Sequence, residues 1–426
     1  MDARIVVVGA GPAGLCLATA LAERGFQVDV VDRQSAETLA TPPFDGREVA
    51  LTQTSIQLLQ SLGIWRRIAE ADKAPIARAR IMDDAAAGFV ADSASVARDR
   101  LGVLVSNHVI RAAAWEAAST HANIRFHGDV SVERLETGPV SAAVGLSDGS
   151  RLQARLVVAA DGRFSALRRM RGIATSTHDF GKTMLLVRAH HARSNDRTAW
   201  EWFGRGQMRA LLPLGDRLSS LVLTVDAAEA QHWRELSPEQ LGAELALRYE
   251  GRLGAVTPES TLHAYPLVAT WAHRFAATRF ALVGDAAIGM HPVTAHGFNL
   301  GLAGVRHLAG AVAEGAVRHG DPGHARALAQ YQRRLRTSGA LIFAGTQALA
   351  HLYTDDRRRA LPLRRALLQA GSRIAPLRQA LAAHVTADLP LRESPLRHVW
   401  GALRALRPQP RTVGRTRGFQ DSSLTG

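Results

Sequence analysis

The 426-residue chain has a single cysteine, Cys16. One thiol builds no disulfide framework, so a small secreted scaffold is excluded and a reducing compartment is expected. Lysine is nearly absent as well: apart from Lys73 and Lys182, every cationic side chain of the basic complement is arginine. No unbroken apolar run reaches the roughly 18 residues of a membrane-crossing helix. No basic leader or cleavage site precedes the strand-like "RIVVVG" that starts at Arg4. The location expected is therefore cytoplasmic, with attachment at the inner face of the membrane as a further option. Hydrophobic residues make up 46% of the chain, which makes it globular, and its length suits two domains with an appendage.

Acid is in short supply relative to base, giving a formal charge of +14. From His351 onward, fourteen arginines face five acidic residues, a net of +9. Such an excess suits nucleic acid, an anionic membrane or an acidic substrate. There is no zinc-finger spacing, RNP-like aromatic motif or basic zipper, so no nucleic-acid partner is expected and a membrane surface ranks higher.

What is present is glycine in a particular order. "RIVVVGAGPAGLCLATALAERGFQVDVVDRQ" (residues 4–34) is a β-branched run, then Gly9, Gly11 and Gly14 at G-x-G-x-x-G spacing, a helical pattern, and a second strand ending in Asp32. Gly9 permits a tight turn, Gly11 lets a pyrophosphate approach the backbone, and Gly14 allows close helix–sheet packing. The helix N-terminus, with Pro12 and Ala13, offers free N–H groups and the positive end of a dipole. Asp32 stands where an acid accepts ribose hydroxyls, with Arg33 beside it. The loop alone does not separate NAD from FAD.

Two further strands end in acid and glycine. "RLVVAADGRFSALRR" closes on Asp161-Gly162, with Ser165 and Arg168 at helix-starting spacing. "RFALVGDAAIGMHPVTAHGFNLGL" closes on Gly284-Asp285 and continues through Pro292, Gly297, Phe298 and Asn299. Asp285 falls at the carboxyl end of a strand, where open α/β sheets bind ligands. Pro292 stiffens the loop, Gly297 admits a flat ring close to the backbone, and Asn299 is placed to cap the next helix. The whole reads as a backbone cradle for something flat, hydroxylated and anionic.

These three signals, in this order, resemble the FAD-dependent aromatic hydroxylases, the single-component flavoprotein monooxygenases, from Arg4 to about Tyr353. The resemblance implies an α/β fold: a Rossmann-like FAD domain of the p-hydroxybenzoate hydroxylase type, a β-sheet substrate domain and C-terminal helices. Finer features resemble the ubiquinone-biosynthesis hydroxylases. "DGREVALTQTSIQLLQSLGIW" places Arg47 near the flavin, and "LGVLVSNHVIRAAAWEAA" places Arg111 at a basic position of the site. "GQMRALLPLGDRLSSLVLTV" is similar to a substrate-domain strand pair. There are departures: Ile288 stands where many members have histidine, Ala295 and His296 replace Gly-Gln, and an aspartate common near Gly304 is missing. The "HPVTAHGFNLG" variant most resembles the branch that hydroxylates demethoxyubiquinol.

The resemblance implies FAD as cofactor, NADH or NADPH as electron donor, O2 as oxidant, and a polyprenylated quinol or related aromatic substrate. Other ubiquinone-biosynthesis proteins are implied as partners. The FAD domain is expected at residues 1–75, 100–175 and 268–335 and the substrate domain at 76–99 and 176–267. C-terminal helices are expected over 336–406 and a disordered tail over 407–426. No metal site is expected, since His291 and His296 lack acidic or cysteine partners. Either histidine could orient the oxidant or accept a phenolic proton, titrating near working pH, or simply bond loop backbone. Trp200, Trp202 and Phe203 in "WEWF" suit either a ring pocket or strand core. The apolar stripe Leu361–Leu381 suits either a membrane surface or packing on the FAD domain. Three rivals remain: a flavin-dependent halogenase, a flavin-dependent reductase of prenyl double bonds, and a non-catalytic flavin-containing assembly factor. The first is disfavoured because "WEWFGR" lacks the Ile-Pro of its motif.

Overall fold

The computed structural model describes residues 4–83, 86–92, 100–204, 207–292 and 296–354. The apolar stripe Leu361–Leu381, the tail after residue 407 and the departure at Ala295 lie outside the described residues.

The first sheet has six strands, in the order Ala276–Ala277, Phe280–Leu282, Leu156–Ala159, Arg4–Val8, Gln27–Val31, Ile124–His127. Its central strands are parallel and covered on both faces, which is why they read as unbroken β-branched runs: Ile5, Val6 and Val7 have no exposed surface. The helix Pro12–Ala22 crosses between the first two strands, and Gly14 makes this possible. A Cβ on Gly14 would stand 1.9 Å from the Gly9 carbonyl oxygen. Gly9 itself has φ +108°, and a Cβ there would meet the Ala160 carbonyl at 2.4 Å.

Register then does the assembling. Val8 lies opposite both Val31 and Ala159, and Ala159 lies opposite Leu282. Four parallel strands therefore end on one line, and the residues that follow (Gly9, Asp32, Asp161 and Gly284) emerge side by side.

The second sheet is largely antiparallel. It runs Ile288–Gly289, His263–Ala272, Thr175–His191, Leu218–Asp226, Gln207–Pro213, Thr198–Gly204, Arg78–Asp83, Ala86–Asp92. One face is buried beneath the helices Ala230–Glu235 and Pro238–Arg248, through Leu185, Val187, Leu221, Leu223, Trp233 and Leu241. The "WEWF" stretch splits between the faces, as strand alternation requires. Trp200 packs in that helix-covered cluster, and Trp202 stacks beneath the Arg209 guanidinium at 3.7 Å, whereas Phe203 joins Met208 on the other face. Of the two alternatives, strand core is what the structure shows for all three side chains. The sheet's edge strand, Ile288–Gly289, is part of the loop after Asp285 and pairs with Thr270 and Trp271.

The sequence reads Asp83–Asp99 as a polar excursion, but Ala86–Asp92 within it is a strand paired with Arg78–Asp83. The boundary expected at 335/336 falls inside one continuous helix, Ala325–Thr354, because no proline interrupts those 30 residues.

Candidate functional site

One cleft of about 1070 Å³ runs along the line of strand ends. At one end lie Asp32, Arg33, Gln34 and Arg111. Gly9, Gly11, Pro12, Ala13, Asp161 and Gly162 follow, and the far end holds Arg47, Gly284, Asp285, Gly297 and Phe298. Residues up to 294 positions apart in sequence, Val8 and Leu302, share these walls. Of the residues singled out from sequence for the cleft, Gly14, Ser165, Arg168, His291, Pro292, His296 and Asn299 are not on the lining.

Each wall is fixed by backbone bonds. The Asp32 carboxylate accepts from the N–H of Ala10 at 2.6 Å and of Gln34 at 2.8 Å, so it is locked at the turn it faces. Arg111 donates to the Gln34 side chain at 2.8 Å. Gly11 precedes the helix Pro12–Ala22, whose first N–H groups face the cleft. No atom lies within 4 Å of where a Cβ on Gly11 or Gly162 would stand.

At the other end, Arg47 donates to Asp45 at 2.6 Å and lies 5.6 Å from the Tyr265 ring centre, while Asn107 donates to Asp45 at 2.7 Å. Burial alone would raise the Asp45 carboxyl, but the hydrogen bond and charge of Arg47 outweigh it and hold it below the usual range. Tyr265 fixes the same turn by donating to the Asp45 carbonyl at 2.8 Å.

The strand ends at Asp161 and Gly284 are bolted together by two arginines. Arg168 is 5% exposed and donates to the carbonyls of Ala286 at 2.8 Å and Arg163 at 3.0 Å. Arg163 donates to Asp285 at 3.3 Å, to the Met290 carbonyl at 3.2 Å and to the Val268 carbonyl. Sequence reasoning passed over Arg163, because nothing local separates it from its neighbours Arg168, Arg169 and Arg171. Ser165 caps the helix Ala166–Met170 by accepting from the Arg168 N–H, as its spacing suggested.

Two expectations need correction. The helix after the loop, Gly297–His319, starts at Gly297 with His296 before it, so Asn299 lies in its first turn and is not the cap. Its side chain instead pins that turn to a neighbouring strand, accepting from Thr52 N–H at 3.0 Å and donating to Ala50 at 2.8 Å. His291 does not titrate near working pH either. It is 2% exposed, with its ring 4.6 Å from that of Phe180, and burial, aided by Arg163, His351 and His178, pushes it down to about 4. Among the described residues no cluster of histidine, cysteine and carboxylates suits a metal.

The cleft fits a long, anionic, hydroxylated ligand such as FAD. Arginines stand at both ends, a helix N-terminus faces the middle, and open space lies before Gly11 and Gly162. The Oδ1 of Asp161 is buried with no partner among the described residues, an acceptor in want of a donor.

The FAD binding domain family matches residues 2–342. The ubiquinone hydroxylase UbiM of Neisseria meningitidis is 41% identical over 373 residues, 86% of this chain and 81% of the relative. The ubiquinone hydroxylase UbiL of Rhodospirillum rubrum is 35% identical, covering 83% of this chain and 82% of the relative. The 3-demethoxyubiquinol 3-hydroxylase of Escherichia coli is 32% identical over 70% of this chain and 76% of its own. Among solved structures, PqsL of Pseudomonas aeruginosa, described as a probable FAD-dependent monooxygenase, superposes with a TM-score of 0.72 at 22% identity, over 86% of this chain and 99% of its own. The p-nitrophenol 4-monooxygenase PnpA of Pseudomonas putida gives 0.73 at 18% identity, over 91% and 98%. These two speak for the fold.

Proposed function

The chain belongs to the FAD binding domain family, as an FAD-dependent monooxygenase of the ubiquinone-hydroxylase group, and we propose that it hydroxylates the ring of demethoxyubiquinol. NAD(P)H is the electron donor, O2 the oxidant and a quinol-type ring the substrate. The observation that carries the reading is one cleft into which four parallel strand ends open, flanked by a second sheet whose edge strand is the loop after Asp285.

We assign the Asp32 end to the ADP half of the cofactor. The ribose hydroxyls reach the Asp32 carboxylate, and the pyrophosphate lies against Gly11, Pro12 and Ala13 at the helix N-terminus. We assign Asp285 to the ribityl hydroxyls, with Arg163 holding its carboxylate in place. Arg47 and the Gly297–Phe298 backbone then bound the ring end. When bound, FAD supplies the transfer of electrons from NAD(P)H and the activation of dioxygen. The chain's own task is to hold the quinol against that ring and keep water away. His291, neutral and packed on Phe180, serves this second purpose better than proton transfer.

We further propose that a polyprenylated substrate is taken from the inner face of an anionic membrane, supported by the net +9 from His351 onward. No described helix is long and apolar enough to cross a membrane.

The deciding experiment supplies demethoxyubiquinol, NAD(P)H and isotopically labelled dioxygen to the FAD-loaded protein and identifies the product by mass. One labelled oxygen atom on the ring is expected. Product formed without oxygen would instead favour a prenyl reductase, and NAD(P)H oxidation indifferent to every quinol precursor would favour an assembly factor.

A further inference from the structure

On the face of the second sheet turned away from its helices, the immediate neighbours of Glu201 are apolar: Ile81 and Ala210 across the strands, Ala199 and Phe203 along its own. A cross-strand row on it reads Ile81, Glu201, Ala210, Val222, Leu186. The next row toward the cleft holds Asp83, Phe203, Met208, Thr224, Met184 and Tyr265. Leu186, Ala210, Val222, Met184 and Tyr265 form one cluster. Tyr265 holds the turn at Asp45 and lies against Arg47, which lines the cleft, so this face borders the ring end of the site.

Glu201 is out of place there. It makes no hydrogen bond or ion pair among the described residues. The arginines of the adjacent strands, Arg80 and Arg209, pair with Trp200 and Trp202 and so face the opposite side. Glu201 is nevertheless only half-buried, while its carboxyl is so enclosed that burial alone pushes it up to about 8. Its cross-strand neighbour Ile81 packs with Phe180, whose ring lies 4.6 Å from that of His291, so this end of the face adjoins the loop after Asp285. A carboxyl in such surroundings costs free energy unless something polar meets it.

We propose that Glu201 is the residue that recognises the ring hydroxyl of the substrate, accepting its hydrogen bond and fixing which edge of the ring faces the flavin. Near neutral pH the carboxyl holds its proton and presents one donor and one acceptor, the complement of a phenolic hydroxyl. Apolar neighbours on either side hold the ring and prenyl chain, so Glu201 supplies the orientation they lack. This inference rests on the quinol reading above.

The test is equilibrium binding to the FAD-loaded protein without NAD(P)H, followed by flavin fluorescence. The probes are a geranylated methoxyphenol and its O-methyl ether. Wild type is expected to prefer the phenol. Glu201→Leu should weaken phenol binding about tenfold or more and leave ether binding unchanged, while Glu201→Gln, which keeps a donor and an acceptor, should retain most of the preference. Flavin content and melting temperature show that each variant is folded, and Glu201→Met replaces the leucine variant should that one lose flavin. The proposal is overturned if the apolar variant keeps the preference, if it loses both ligands equally, or if glutamine fails to rescue. Failure of wild type to bind either probe would overturn the quinol reading itself, and the two failures are thereby distinguished.

Discussion

Arg163 reaches across 122 residues of sequence to donate to Asp285 at 3.3 Å. The same guanidinium holds the carbonyls of Met290 and Val268, so one side chain joins the strand end at Asp161, the strand end at Gly284 and the second sheet. The loop after Asp285 is therefore held from both sides, by Arg163 and by its own pairing to Thr270 and Trp271.

Replacing that clamp should loosen the cofactor before it unfolds the chain. Arg163→Leu leaves two carbonyls and a carboxylate without their donor, a loss of about 2 kcal/mol. Titration of apoprotein with FAD should show Kd rising about tenfold or more, with the far-ultraviolet circular dichroism unchanged. Flavin retention equal to wild type would remove Arg163 from the site.

Asp285→Ala should purify with little flavin and regain colour only at high added FAD. Asp285→Asn keeps one acceptor and should fall in between. The measurement is the ratio of flavin to protein absorbance, and a fully loaded alanine variant counts against the ribityl assignment.

Two glycines three positions apart should behave oppositely. Gly14→Ala forces a methyl to within 1.9 Å of a backbone oxygen and should destabilise the fold by about 3 kcal/mol in denaturant titration. Gly11→Ala meets nothing within 4 Å and should leave stability unchanged while weakening FAD, if the methyl takes the space we assign to the pyrophosphate. If Gly11→Ala binds FAD normally, the phosphates lie elsewhere.

His291 provides a pH test. Its folded value of about 4 lies below the ordinary 6.5, so the unfolded chain binds the proton more readily. The stability that this histidine contributes is complete above 6.5 and is lost as pH falls toward 4, at up to roughly 1.4 kcal/mol per pH unit. His307, also pushed down to about 4 by burial, acts in the same direction. His291→Gln should flatten the acid limb of the stability profile by close to one proton, and an unchanged slope would mean that the imidazole is not held neutral.

The four strand endings, the order in which they occur, and the helix that must start after Gly11 were all legible in the sequence. Positive-φ turns, β-branched runs and side-chain caps are settled by neighbours a few residues apart, and the pattern of such neighbours is written along the chain. What only the tertiary structure decided is which distant groups meet. The alignment of Val8 with Val31 and Ala159, and of Ala159 with Leu282, sets four turns on one edge. Strand alternation put Glu201 on the face opposite Trp202, and the helix start at Gly297 turned Asn299 from an expected cap into a pin on Thr52. These depend on register and packing across scores to hundreds of residues. Nothing local distinguishes one arginine, one asparagine or one glutamate from another until the sheets have closed around it.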